Sequence, residues 1–161
     1  MKFYQGCNLN YTVVRKLFYA VELYLYVVEA SKMNVVYVNT LSVEDYCRLR
    51  ESVDFYAISE CIVKKALEKS DFIISAIIDD ITVGMGRLIT DGTQVLIIDV
   101  VVHPDFQGYG IGRSIMVQIN QHIKSEYDQM LVNLLTDETK IDFYKKFGYN
   151  IALGMRWWYG I

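Results

Sequence analysis

From residue 34 onward the apolar positions fall into short, well-punctuated blocks. Residues 34–40, NVVYVNT, are apolar and β-branched and end in polar residues, which predicts a strand. Ser42 follows as an N-cap with an acid, Asp45, three residues on, so a helix runs to about Ser52. Asp54-Phe55-Tyr56 reads as a loop, and a second helix over 59–69 turns Ile62, Ala66 and Leu67 to one face. Three strands come next, 71–78, 81–90 and 94–102, joined by Asp79-Asp80 and by Asp91-Gly92, the strongest hairpin signal in the chain. Strands joined so tightly are antiparallel neighbours. Ile111, Ile115, Ile119 and Ile123 recur every four residues and give a helix one apolar stripe. A short strand over 130–135 precedes a helix over 138–147, capped by Asp137, with Ile141, Tyr144 and Phe147 on one face and Gly148 as its left-handed stop. Strands over 149–153 and 155–159 complete the pattern. The order predicts an α/β fold: a mixed, mostly antiparallel central sheet of six to seven strands flanked by helices.

Composition narrows this to one domain. The chain has 161 residues, 53% apolar and 22% charged, which excludes disorder, and its net charge of −3 lacks any basic run. Nucleic acid and anionic membrane are therefore not expected as partners. Residues 11–30 are apolar but contain Arg15, Lys16, Glu22 and Glu29, so they make neither a membrane span nor a signal-peptide core. Cys7, Cys47 and Cys61 are odd in number and lack metal-ligand spacing, which suits reduced thiols in a cytoplasmic protein without a metal. Residues 1–33 read as an N-terminal extension, dispensable for folding, that packs as a cover or against a second copy in a homodimer; the domain proper spans 34–161.

Chemistry concentrates in Val100 to Arg113, VVVHPDFQGYGIGR. The strand ends at Pro104, which cannot continue a ladder, and His103 beside it reads as a turn residue. Gly108, Gly110 and Gly112 then cross into the isoleucine helix. Bare backbone at a helix N-terminus admits phosphate to the first-turn N–H groups and the positive end of the dipole. A dinucleotide G-x-G-x-x-G fails, because Arg113 stands where the third glycine belongs, and Gly112-Arg113-Ser114 lacks the lysine of a Walker A loop. Glycines that merely make a tight turn are the plainer alternative.

Gln107-Gly108-Tyr109-Gly110-Ile111-Gly112 resembles the Gln/Arg-x-x-Gly-x-Gly/Ala signature of the GCN5-related N-acetyltransferase (GNAT) superfamily. The preceding V-x-V-x-P and the later Phe143-Tyr144-Lys145-Lys146-Phe147-Gly148-Tyr149 resemble two further segments of that family, in the family's order. The resemblance covers about residues 34–161. It implies that acetyl-coenzyme A, as co-substrate, lies between two splayed parallel strands, here 94–102 and 130–135. Loop 107–113 would hold the pyrophosphate through its amides, and Val100, Val101 and Val102 would pair with the pantetheine. Asn133 on the partner strand joins this cofactor set. Arg113 either neutralises phosphate or is a solvated helix residue.

The implied reaction is direct attack of the neutral primary amine of a small molecule on the thioester carbonyl in a ternary complex, giving an acetamide and the coenzyme A thiolate. By position Tyr144 is the acid that protonates the leaving thiolate, a phenol of pKa about 10 serving a thiol of about 8.5. A backbone N–H on 100–102 would stabilise the oxyanion. Asp99, an acid inside an apolar strand, is either the base or amine anchor, or sits on the sheet's other face paired with a Lys or Arg. Glu60 and Asp54 are further acids bordering the acceptor site, and a water chain could also take the proton. Acceptor recognition falls to Asp54, Tyr56 and Glu60 and to the C-terminal aromatic wall with Trp157, which suits a small cationic amine. The alternatives are acetylation of a protein or peptide amine, and an acyl-coenzyme A sensor that binds without transfer.

Overall fold

The computed structural model describes residues 33–127 and 129–155; the expected extension ahead of residue 33, nearly all of the expected strand 155–159, and Trp157 lie outside them. The described residues from Tyr37 onward form one unit. In chain order the elements are β1 (Val36–Val38), α1 (Val43–Glu51), α2 (Glu60–Glu68), β2 (Phe72–Ile78), β3 (Ile81–Thr90), β4 (Gln94–Val102), α3 (Ile111–Glu126), β5 (Leu131–Leu134) and α4 (Ile141–Lys145). The strands form one mixed sheet ordered β1-β2-β3-β4-β5, with β2/β3 and β3/β4 antiparallel and β4/β5 parallel.

Local chemistry accounts for most boundaries. Ser42 caps α1 by accepting the Asp45 N–H at 3.0 Å. Asp91 closes the β3–β4 turn by accepting the N–H groups of Thr93 and Gln94, with Gly92 at φ 88°. Asp137 receives the Thr139 N–H at 2.8 Å and starts a single 3₁₀ turn over Glu138–Lys140 that leads into α4. Gly148 at φ 90° ends that segment.

The two faces of the sheet pack differently. On one, the isoleucine stripe of α3 lies against β2 and β3 so closely that a Cβ on Gly86 would stand 2.8 Å from Ile115 Cγ2 and 2.9 Å from Ile119 Cδ1. On the other, Tyr46 and Leu49 of α1 and Val63 of α2 bury against Met85 and Val101.

Three expectations need correction. The sheet has five strands among the described residues, and 149–155 takes no strand pairing. The buried residue of α2 is Val63, with Ala66 and Leu67 half-buried beside it, while Ile62 points to solvent at 57% exposure. Val63 and Leu67 are one helical turn apart, so a stripe through them leaves Ile62 outside. The helix over 138–147 is a 3₁₀ turn followed by the five-residue α4.

Candidate active site

β4 and β5 run side by side only over Gln94–Ile97 and Leu131–Leu134. β4 continues to Val102, still paired with β3, so among the described residues its β5-side backbone is open from Ile98 onward. Val100 and Val102 are half-buried in this open stretch, and Val101 sends its side chain into the core. Asn133, at the paired end, donates to Gln94 Oε1 at 3.1 Å.

Beyond β4 the chain makes a 3₁₀ turn over Pro104–Phe106, with His103 Nδ1 accepting the Asp105 N–H, and reaches the glycines. Gln107 Nε2 donates to Val102 O at 2.9 Å, so this side chain ties the loop to the strand end. Gly108 and Gly110 take φ 87° and 80°, and Gly110 is the left-handed N-cap of α3. The first backbone bond of the helix runs from Ser114 N–H to Gly110 O, leaving the amides of Ile111, Gly112 and Arg113 in the unbonded first turn. Tyr109 is half-buried, Ile111 is buried by its side chain, and Arg113 is exposed. A Cβ on Gly110 would meet nothing within 4 Å, and one on Gly112 would lie 3.5 Å from Val102 Cγ2 and 3.7 Å from Phe143 Cζ. The end of β4, the start of α3 and α4 therefore converge at Gly112. Bare backbone, three first-turn amides and an open strand edge at one place fit an elongated phosphorylated ligand such as a coenzyme A thioester.

Tyr144 stands on α4 next to Phe143, ring centroids 5.0 Å apart, and lines a cavity of about 600 Å³ with β5 and the segment after Gly148. Burial, and then the nearby Asp137 carboxylate, push its phenol above the ordinary value. Tyr149, in edge contact with Tyr144 at 6.3 Å, donates to Asn120 Oδ1 at 2.8 Å, and burial pushes it to about 12.

Asp99 lies on the opposite face of β4. The β3/β4 register passes from Arg87↔Ile98 to Met85↔Val101, so β4 carries a bulge in which Asp99 takes φ 52°. The bulge turns its carboxylate toward α1. Oδ1 accepts Arg50 Nη1 at 2.6 Å, and Oδ2 accepts Arg87 Nη2 at 2.7 Å, Arg87 Nε at 3.0 Å and the Tyr46 hydroxyl at 2.9 Å. Burial, and then the Asp99 charge, push the Tyr46 phenol up. With both oxygens occupied by donors, Asp99 is not placed to take a substrate proton, and of the two readings its sequence allowed, the ion-paired one describes the geometry. Arg50, Arg87 and Tyr46 escaped the sequence reading. The available signal was Arg87, a charge as isolated in an apolar strand as Asp99 is in the next.

The segment between α1 and α2 holds Asp54, Tyr56 and Glu60, all exposed. Asp54 takes φ 56° at the turn, Tyr56 lays its ring 4.9 Å from the Arg50 guanidinium carbon, and Glu60 opens α2. Tyr46, Arg50, Phe55 and Tyr56 line a second cavity of about 240 Å³. Among the described residues no group of His, Cys, Asp and Glu is placed to hold a metal, and no helix is long and apolar enough to cross a membrane.

Comparison with known proteins bears on residues 69–151, just over half of the chain, which match the family described as acetyltransferase (GNAT) domain. Uncharacterized N-acetyltransferases of the red algae Pyropia yezoensis and Porphyra purpurea are 37% and 39% identical over 92 residues, 54% of this chain and 52% of each relative. The matched region thus spans about half the length of these curated relatives. The crystal structure of a probable acetyltransferase of unknown function from Staphylococcus aureus superposes with a TM-score of 0.72 at 30% identity, covering 78% of this chain and 99% of that one. A GNAT family acetyltransferase from Streptococcus pneumoniae gives 0.63 at 28% identity, over 79% and 98%.

Proposed function

The chain belongs to the GNAT acetyltransferase family, and from that premise we propose that it moves an acetyl group from acetyl-coenzyme A to the primary amine of a small molecule, by direct attack in a ternary complex. The observation that carries the proposal is the convergence at Gly112, where an open strand edge, a left-handed glycine cap and Phe143 of the helix that carries Tyr144 meet. When bound, acetyl-coenzyme A supplies a thioester whose carbonyl carbon the neutral amine attacks, giving an amide and a thiolate.

The chain's own groups divide the work. The amides of Ile111, Gly112 and Arg113 hold the pyrophosphate, with Arg113 adding charge at the rim. The open backbone of Val100 to Val102 aligns the pantetheine, and one of its N–H groups faces the oxyanion. Tyr144 donates its hydroxyl proton to the departing sulfur, and its raised pKa keeps that proton in place across the neutral range. Glu60 and Asp54 draw a cationic amine toward the site, and water carries away the ammonium proton.

The test is thermal shift of the full chain with acetyl-coenzyme A, coenzyme A and NAD in parallel, followed by thiol release with a panel of amines. Stabilisation by both coenzyme A forms and not by NAD is expected, and Tyr144→Phe should keep that shift while lowering kcat about 100-fold. No shift with either coenzyme A form removes the proposal.

A further inference from the structure

The ion cluster behind β4 does not balance. Arg50 and Arg87 bring two positive charges, their side chains only 8% and 5% exposed, and both lean on the one carboxylate of Asp99. Every nitrogen of Arg87 is engaged, since beyond Asp99 it donates from Nη1 to Ala66 O at 3.0 Å and to Ser70 Oγ at 2.6 Å. Arg50 is not. Nη1 holds Asp99 and Nη2 reaches Tyr56 O at a long 3.3 Å, while Nε is buried without a hydrogen-bond partner. A buried guanidinium N–H left unpaired is costly, and a surplus buried cation is more so.

Beyond Asp99, the groups packed against Arg50 supply π density rather than countercharge. The rings of Phe55 and Tyr56 each lie 4.9 Å from its guanidinium carbon, and that of Tyr46 lies 5.6 Å away. Phe55 and Tyr56 are exposed on the segment after α1, at 45% and 58%, and the Phe55 N–H bonds Arg50 O at 3.0 Å, so their rings form an aromatic cover over the guanidinium. Beneath it is the 240 Å³ cavity, whose lining among the described residues contains one cation, Arg50, and one acid, Glu51 at its exposed edge.

We propose that this cavity receives an anionic oxygen group, carboxylate or phosphate, carried by the acceptor amine itself, with Arg50 Nε–H as the donor that reads it and the Phe55 and Tyr56 rings as its aromatic wall. The acceptor is then a zwitterion, such as an amino acid or an amine bearing a phosphate, rather than a simple cationic amine. That the ligand is an amine rests on the acetyltransferase reading; the demand for an anion rests on the charge count and the orphan donor alone.

The experiment is calorimetric titration of the full chain with glycine, β-alanine and γ-aminobutyrate, each beside its amide, and with 2-aminoethyl phosphate. Acetyl-coenzyme A is titrated separately. At least one anionic amine should bind about tenfold or more tightly than its neutral amide, the worth of one charge-assisted hydrogen bond. Whether the acids or the phosphate show it identifies the source of the oxygen. Arg50→Lys should erase that preference and leave acetyl-coenzyme A affinity unchanged, while Phe55→Ala should retain both. Equal or absent binding of acids, phosphate and amides overturns the proposal, as does an Arg50→Lys protein that still prefers the anion. Should Arg50→Lys not fold, alkylation of Cys47, which lines the cavity, gives a second reading in the unaltered chain. Protection of Cys47 by the acid and not by its amide supports the site, and equal protection overturns it. An anion preference without acetyl-coenzyme A binding would fail the acetyltransferase reading while leaving the anion site standing.

Discussion

The β3–β4 hairpin has two faces that solve opposite problems with the same few residues. Toward α3 it is stripped bare: Gly84 and Gly86 let Ile111, Ile115 and Ile119 close on the backbone, so that this side is sealed and purely apolar. Toward α1 it carries Arg87 and Asp99, held in a buried network with Arg50 and Tyr46. The first face gains stability from close approach, which tolerates no added atom. The second accepts desolvated charge, which adds little stability against an apolar alternative yet fixes where α1 and the bulge of β4 sit. An open strand edge needs that positioning, because its geometry is not enforced by pairing on both sides.

Breaking the charged face should cost most. Asp99→Asn leaves two buried guanidiniums without a counterion, and urea denaturation should show a loss of about 3–5 kcal/mol; a loss under about 1 kcal/mol would mean that water already solvates the cluster. The apolar face should be less sensitive to a single change. Gly86→Ala forces a methyl to within 2.8 Å of Ile115 and 2.9 Å of Ile119, for an expected cost of about 1–3 kcal/mol in the same assay. Gly110→Ala sharpens the contrast, because its Cβ would meet open space and only the φ of 80° opposes it. About 1 kcal/mol is expected there, and a larger figure would reveal a contact on the loop beyond backbone conformation. The smallest effect is alkaline. Burial pushes the Tyr149 phenol up to about 12, above its ordinary value, so its contribution is complete below about pH 10 and is lost as pH rises toward 12. Denaturation midpoints at pH 9, 10 and 11 should fall more steeply in the unaltered chain than in Tyr149→Phe.

Much of the fold was legible because periodicity and turn chemistry act locally. The limits of β3 and β4, the Ser42 cap, the isoleucine stripe and the Gly148 stop all follow from short-range rules. The glycine loop was legible for the same reason, since it announces its own backbone. The charged face was not. Counting back from the Asp91-Gly92 turn in strict register places Asp99 opposite Gly86, with its side chain on the α3 side. A bulge with an aspartate at φ 52° reverses that, and aspartate visits the left-handed region without any glycine to mark the spot. Arg50 was hidden near the end of α1, where a cap and a boundary say nothing of what a side chain meets. The strand expected over 149–153 had the right composition, yet strand formation depends on a partner, and β5 offers only four residues to pair with.

The half-paired β4 also matters for how the protein behaves when crowded with copies of itself. An unpaired run of mostly β-branched backbone is adhesive toward any other extended chain, and among the described residues Ile98 to Val102 is such a run, broken by the Asp99 bulge and with Val102 O held by Gln107. Its reach is cut short on both sides: β5 covers the strand up to Ile97, and Pro104 with the 3₁₀ turn ends it just past Val102. About five residues are left, enough to grip one extended ligand and too few to seed a growing stack of strands.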